Sequence, residues 1–265
     1  MAGAGPWRDG SVLMKVGVFS IVTWKRAVTV LDQWGYSIVS DDGHPSRGLF
    51  VTFEGIDGSG KSTLARLVFR ELAEELGADR LIMTYEPGGW DGGESLRAVI
   101  LGRDLKNVLT ETLLFLADRT EHVERVIRPG LESGKVVLCE RYSDSTLAYQ
   151  VFGKNFPREI VENIRTRADF PEPDVTFWLD VPVKIAMKRI VTRKGDPDRF
   201  EKDGSLLERI KIGYGAIGRE DPGRFKRLDG TMGPKVLSNS VASTIMDLIK
   251  RKKDAGERPW QEDEG

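Results

Sequence analysis

The chain has 265 residues, 40% of them hydrophobic and 31% charged, with a formal net charge of −1, enough apolar material for one sizeable core and no global basic field for nucleic acid. Cys139 is the only cysteine and His44 and His122 the only histidines, which excludes an internal disulfide and a cysteine metal cluster, argues against a Ser-His-Asp triad, and fits a reducing cytoplasm. No apolar run approaches the ~20 residues needed to cross a bilayer; the stretch Val16 to Trp24 is short and lacks a small-residue cleavage site, which argues against a signal peptide.

Residues 1–47 read as an N-terminal extension that ends in the turn-rich Ser40-Asp41-Asp42-Gly43-His44-Pro45-Ser46-Arg47. Strand-like pieces within it leave open a small hairpin, a poorly ordered lead, or a wrongly set translation start. From Gly48 the pattern becomes strongly periodic. Leu49, Val51 and Phe53 alternate as in a buried strand, and Leu64, Leu67, Val68, Leu72 and Leu76 recur at helical spacing. Between them lies Gly55-Ile56-Asp57-Gly58-Ser59-Gly60-Lys61-Ser62-Thr63, which fills the G-x-x-x-x-G-K-[ST] pattern. Its glycines let backbone N–H groups converge on an anion, Lys61 reaches the outer phosphates, and the Ser62 hydroxyl suits Mg²⁺. A strand, a phosphate loop and a helix in that order predict an ATP-binding segment over residues 55–63.

Further strands are expected at Leu81 to Tyr85, Val136 to Cys139, Val175 to Leu179 and Phe225 to Leu228, separated by helical patterns. Strands alternating with crossovers of that length predict a parallel α/β sheet covered on both faces, with ligands at the carboxyl edge. The segments that follow the strands carry the polar chemistry. Thr84-Tyr85-Glu86-Pro87-Gly88-Gly89 follows the second strand, with Arg97 in the helix beyond; Phe115-Leu116-Ala117-Asp118-Arg119 lies in a long helix; Glu140-Arg141-Tyr142-Ser143-Asp144-Ser145-Thr146-Leu147-Ala148-Tyr149-Gln150 follows the third strand. After the fourth strand, Arg189, Arg193, Lys194 and Arg199 stand in a polar stretch broken by Gly195, Pro197 and Gly204. Arg97, Arg119, Arg141, Arg193 and Arg199 supply the cations needed when a phosphoryl group passes between two polyanions, and the stretch 193–204 has the composition of a lid that keeps water out. A last helix is expected from Pro234 to Lys250, and a charged, disordered tail over residues 251–265.

Taken in order and at this spacing, these motifs resemble the bacterial type of thymidylate kinase, over about Gly48 to Lys250. The matching features are Asp57 at the third position of the phosphate loop, the E-P-G-G loop at Glu86 to Gly89, F-x-x-D-R at Phe115 to Arg119, and D-R-Y-x-D-S-x-x-A-Y-Q at Glu140 to Gln150 with one change. The resemblance implies a nucleoside-monophosphate-kinase fold with a five-stranded parallel sheet and a short lid, and the transfer of the γ-phosphate of Mg-ATP to dTMP. It implies catalytic roles for Lys61, Arg141, Glu140, and Arg193 or Arg199 in the lid, because Gly58 and Ser59 leave the phosphate loop without an arginine. For dTMP it implies stacking on Phe115, a base contact from Arg119, acceptor-phosphate contacts from Arg97 and Arg141, and further contacts from Asp57, Glu86, Ser145, Thr146, Gln150 and Tyr214, with Tyr149 packed where a ribose 2′-hydroxyl would sit. Ser62 and Glu140 would hold Mg²⁺, directly or through water. It also implies a cytoplasmic homodimer without membrane or nucleic-acid partners.

Two positions depart from the family pattern. Glu140 stands where Asp is usual, keeping the charge with one more methylene, so function is expected to survive. Trp90 follows E-P-G-G where a small polar residue is common, and is expected to narrow the entrance. Three weaker expectations concern Tyr142 as packing, Cys139 as core and His122 as a helix-surface residue. Two other readings remain open: a kinase of the same fold for another nucleotide or nucleoside, and a nucleotide-binding module without turnover.

Overall fold

The computed structural model describes residues 48–102, 105–192 and 203–255. The N-terminal extension and the lid positions 193–202, with Arg193 and Arg199, lie outside the described residues. In chain order the elements are β1 (Leu49–Glu54), α1 (Lys61–Leu76), β2 (Leu81–Tyr85), α2 (Gly93–Gly102), α3 (Val108–His122), α4 (Arg128–Glu132), β3 (Val136–Glu140), α5 (Ser143–Thr146), α6 (Arg158–Arg167), β4 (Val175–Asp180), α7 (Val183–Thr192), α8 (Gly204–Glu220), β5 (Phe225–Asp229) and α9 (Pro234–Asp254). Wider π turns at Val123–Ile127 and Leu147–Gly153 carry the chain on from α3 and α5.

The five strands form one parallel sheet in the order β2-β3-β1-β4-β5, as the alternation of strands and helices predicts. β1 sits at the centre, with Val51 opposite Leu138 on one side and Val175 on the other. Period-2 alternation sends Leu49, Val51 and Phe53 to one face, where they pack on Leu64, Val68 and Leu72 of α1 and on Leu237, Val241 and Ile245 of α9. Phe50 goes to the opposite face, against Leu116, Val123, Ile127 and Tyr142. Each fully buried aliphatic or aromatic side chain in these layers contributes about 1.5–3 kcal/mol. Both faces being covered is why β1 and β4 are buried along their whole length.

The final helix outruns its expected end. α9 continues through Arg251, Lys252 and Lys253 to Asp254, because these side chains are good helix formers and their positive charges oppose the negative end of the helix dipole. Cys139 and Tyr142 are core residues as expected, Tyr142 meeting Phe50 edge-on at 4.9 Å between ring centres.

One long-range ion pair ties the layers together beside the site. Arg224, entering β5, grips both oxygens of Asp144 in α5 at 2.6 and 3.0 Å and also donates to Thr176 Oγ1 at 2.7 Å; Thr176 in turn contacts Thr52 of β1 at 2.7 Å. Removing one member strands the other in a buried setting. Arg224→Met is expected to lower the free energy of unfolding by about 3–5 kcal/mol, as read from urea titration; a loss of less than about 1 kcal/mol, the worth of a surface pair, would contradict the assignment.

Candidate active site

The phosphate loop leaves the carboxyl end of β1 and enters α1 at Lys61. Gly55, Gly58 and Gly60 take φ of 143°, 77° and 103°, and a Cβ at Gly58 would stand 2.3 Å from the Ala186 carbonyl, so the loop closes only with glycine there. No side chain caps the start of α1, which leaves its first amides directed into the loop. Lys61 is buried, with Nζ donating to the Ile56 carbonyl at 2.9 Å. Burial first, and then the nearby Arg141 charge, push its pKa down to about 8 against the opposing pull of Asp57, Glu140 and Glu54.

Across the loop, the sheet register brings β3 alongside β1, so that Arg141 follows directly on the Phe53–Glu140 pair. Its backbone N–H donates to the Phe53 carbonyl at 3.0 Å, and its φ of 69° lies in the left-handed region that few non-glycine residues occupy. This turn aims the guanidinium back at the loop. Nη1 donates to the Gly55 carbonyl and to Ser145 Oγ, each at 3.2 Å; Nη2 donates to Tyr149 OH at 2.9 Å and forms an ion pair with Asp57. Tyr149 OH donates to the other Asp57 oxygen at 2.8 Å, and the guanidinium stands 4.8 Å from the centre of the Tyr149 ring. Burial pushes the Asp57 carboxyl up, but Arg141 and Lys61 outweigh it and hold the group below its usual range.

Behind Arg141 lies Glu54, the last residue of β1. It accepts from the Tyr142 N–H at 2.7 Å, Ser145 Oγ at 2.6 Å and Tyr214 OH at 2.8 Å. Burial and the Asp144 charge push its pKa up to about 7, and those hydrogen bonds and Arg141 pull the other way. The resemblance places Tyr214 among the dTMP contacts. Tyr214 is instead fully buried, stacked on Trp178 at 6.2 Å and bonded to Glu54, so it supports Arg141 from behind.

The E-P-G-G loop is fastened by the F-x-x-D-R helix. Asp118 accepts from Gly88 N–H at 3.0 Å and from Trp90 Nε1 at 2.9 Å; Trp90 therefore pins the loop, with Arg125 stacked 5.3 Å from its ring, and does not narrow the cavity. Arg97 reaches the Pro87 carbonyl at 2.6 Å. Arg119 is 2% exposed and gives Nε to Glu86 at 2.8 Å, Nη1 to Thr146 Oγ1 at 2.8 Å and Nη2 to the Tyr142 carbonyl at 2.9 Å. The second Glu86 oxygen contacts His122 Nδ1 at 3.0 Å, and His122 Nε2 contacts Thr84 Oγ1 at 2.6 Å. His122 is thus a buried strut and not a surface residue: α3 turns that side toward β2, which helical spacing alone could not reveal.

Several of these groups line one cavity of about 590 Å³ that runs from the phosphate loop to Phe115, Arg119 and Gln150. Asp57, Gly58, Gly60, Lys61, Ser62, Thr63, Glu86, Arg97, Glu140, Arg141, Ser145, Thr146 and Tyr149 all reach its wall, whereas Gly55, Ile56, Ser59 and Tyr214 do not. Arg189 also reaches it and was given no role from sequence. Its guanidinium donates to the Ser59 carbonyl at 3.0 Å and the Gly230 carbonyl at 3.1 Å, joining the loop to the turn after β5. Ser62 Oγ donates to Glu140 Oε1 at 2.8 Å, so the Glu140 carboxylate reaches the loop. A hydroxyl beside one carboxylate, next to a phosphate loop, fits a Mg²⁺ that takes its remaining oxygens from nucleotide and water. Among the described residues no cluster of three or more His, Cys, Asp or Glu side chains could form a self-sufficient metal cage.

Comparison with known proteins agrees with this arrangement. The family profile described as Thymidylate kinase matches residues 53–241. Thymidylate kinase of Geobacter sulfurreducens is 36% identical over 214 residues, spanning 77% of this chain and 100% of that protein, and that of Ruegeria pomeroyi is 38% identical over 207 residues, spanning 77% and 97%. The crystal structure of thymidylate kinase from Ehrlichia chaffeensis superposes with a TM-score of 0.64 at 30% identity, covering 76% of this chain and 99% of that one. A match over most of the chain, with the loop, the E-P-G-G turn and the Arg141 network assembled on one sheet edge, means that the chain belongs to the thymidylate kinase family.

Proposed function

We propose that the protein transfers the γ-phosphate of Mg-ATP to dTMP, giving dTDP and ADP. The observation that carries this reading is the Arg141 guanidinium, which faces Asp57 of the phosphate loop and Tyr149 of the opposite wall within one cavity. Lys61 and the loop amides would hold the donor phosphates. Arg97 and Arg141 would hold the acceptor phosphate in line, and Phe115, Arg119, Thr146 and Gln150 would receive the base. An acceptor phosphate oxygen attacks the γ-phosphorus, and the bond to the bridging β–γ oxygen breaks with its electron pair leaving on ADP. Catalysis then rests on positioning and on cations around the moving group, with no covalent enzyme intermediate. Arg193 or Arg199 would complete those cations. Mg²⁺, supported by Ser62 and Glu140, would neutralise charge on the donor phosphates.

Tyr149 would exclude a ribose 2′-hydroxyl, since its ring is fixed by the hydrogen bonds of its hydroxyl to Asp57 and Arg141. No described helix is long and apolar enough to cross a membrane. A cytoplasmic homodimer, paired through helices away from the active edge, is part of the same reading.

The function is tested by steady-state ADP formation from Mg-ATP with a panel of monophosphates and thymidine itself. dTMP is expected to turn over at least about tenfold faster than its ribose counterpart, a difference of about 1.4 kcal/mol in barrier. Silence with every acceptor while ATP still binds would replace the kinase by a binding module, and turnover of thymidine alone would indicate a nucleoside kinase.

Lys61 provides a second prediction. With a pKa of about 8 in the free protein, it is roughly half protonated at pH 8, and a bound polyphosphate favours the charged form. ATP binding at pH 8 is therefore expected to take up about half a proton, read by calorimetry in buffers of different ionisation enthalpy, and Lys61→Met should abolish the uptake. No uptake in the wild type would mean that Lys61 is already fully charged.

A further inference from the structure

We propose that Glu111 sets the base selectivity of the site by fixing which end of the Gln150 amide faces the base. The proposal rests on the dTMP-kinase reading and extends it to a residue outside the cavity wall. Glu111 projects from the first turn of α3 and is 1% exposed. Its Oε1 accepts from Gln150 Nε2 at 2.9 Å, and Lys154 Nζ lies 2.7 and 2.6 Å from its two oxygens. Lys154 thus brings a compensating positive charge to a carboxylate that would otherwise be costly to bury.

An ionised carboxylate only accepts hydrogen bonds. Glu111 therefore draws the NH₂ end of Gln150 toward itself, and the carbonyl end of the amide is left for a ligand. Gln150 is on the cavity wall, in the same region as Phe115 and Arg119. A fixed acceptor there selects a base that offers an N–H. Thymine and uracil do so at N3, between two carbonyls, and one of those carbonyls suits the donor-only guanidinium of Arg119. Cytosine presents an unprotonated N3, which would oppose the Gln150 oxygen lone pair to lone pair. With the amide reversed the preference would reverse as well, donor against the thymine N–H and donor toward the cytosine N3. Glu111 is thus a positioning residue that acts through Gln150.

The test measures kcat and KM for dTMP and dCMP at saturating Mg-ATP in the wild type, Glu111→Gln, Gln150→Leu and the double variant. Glutamine at 111 can offer Gln150 either a donor or an acceptor, so the amide is free to turn. Glu111→Gln is expected to lower the ratio of kcat/KM for dTMP over dCMP by about tenfold or more, mainly through KM, with kcat on dTMP changed by less than about threefold. Gln150→Leu should lower the ratio as well, and adding Glu111→Gln to it should change nothing further. Equal losses on both nucleotides in Glu111→Gln, or a lower melting temperature with an unchanged ratio, would overturn the proposal. Should Glu111→Gln fail to fold, Glu111→Leu carries the same prediction, since a side chain of similar length that neither donates nor accepts leaves the Gln150 amide free to turn. A wild-type enzyme silent on dTMP would remove the kinase reading and this proposal together, and the wild-type measurement alone distinguishes that failure from the first.

Discussion

The site depends on holding one arginine in one position. Arg141 directly follows the last residue of β3, and the parallel register with β1 leaves it next to the start of the phosphate loop. Its left-handed backbone, a φ that costs a non-glycine residue of order 1–3 kcal/mol, persists because the Phe53 carbonyl takes its N–H and five polar groups take its guanidinium. The strain is a local cost offset by neighbouring bonds. What it yields is a cation that contacts the phosphate loop on one side and the Tyr149 wall on the other.

Charged groups are layered outward from that arginine. Asp57 and Glu54 flank it, Lys61 lies beyond Asp57, and Asp144 and Arg224 lie beyond Glu54. The members are not equally comfortable. Glu54 rises to about 7 and Lys61 falls to about 8, which means that burial has made each charge harder to keep. For Glu54 the sign is clear: its raised pKa favours the folded state most below pH 4.5, and that contribution is lost as pH rises from 4.5 through about 7. An apolar replacement would relieve that strain and leave Ser145, Tyr214 and the Tyr142 N–H without their acceptor. Such a cluster is the cost of having donors and cations fixed before substrate arrives, which is what positioning catalysis requires.

Local pattern made much of this legible. The alternation in Leu49, Val51 and Phe53, the glycines of the loop and the strand-helix periodicity specify the parallel sheet, and the four motifs identify most of the cavity wall, because each is a run of neighbouring residues with its own geometry. Long-range partners were not legible. Arg224 meets Asp144 across 80 residues and Glu111 meets Gln150 across 39, and no spacing rule links such pairs. Tyr214 and His122 were misjudged for the same reason: a helix shows its period in sequence, while the face it turns to the core depends on what packs beside it. Glu54 looked like the end of a strand. Its role follows from three donors on other segments that converge there only after folding.

The central claim is that one guanidinium joins the donor and acceptor halves of the site, and calorimetric affinities of Arg141→Lys for ATP and for dTMP test it most directly. Lysine keeps the charge but loses the planar fork that spans Asp57, Ser145 and Tyr149. The account predicts that both affinities fall, dTMP by about tenfold or more, or about 1.4 kcal/mol, and ATP by a smaller but measurable factor through the loosened Asp57. Unchanged affinity for both nucleotides would contradict it, as would a loss confined to ATP.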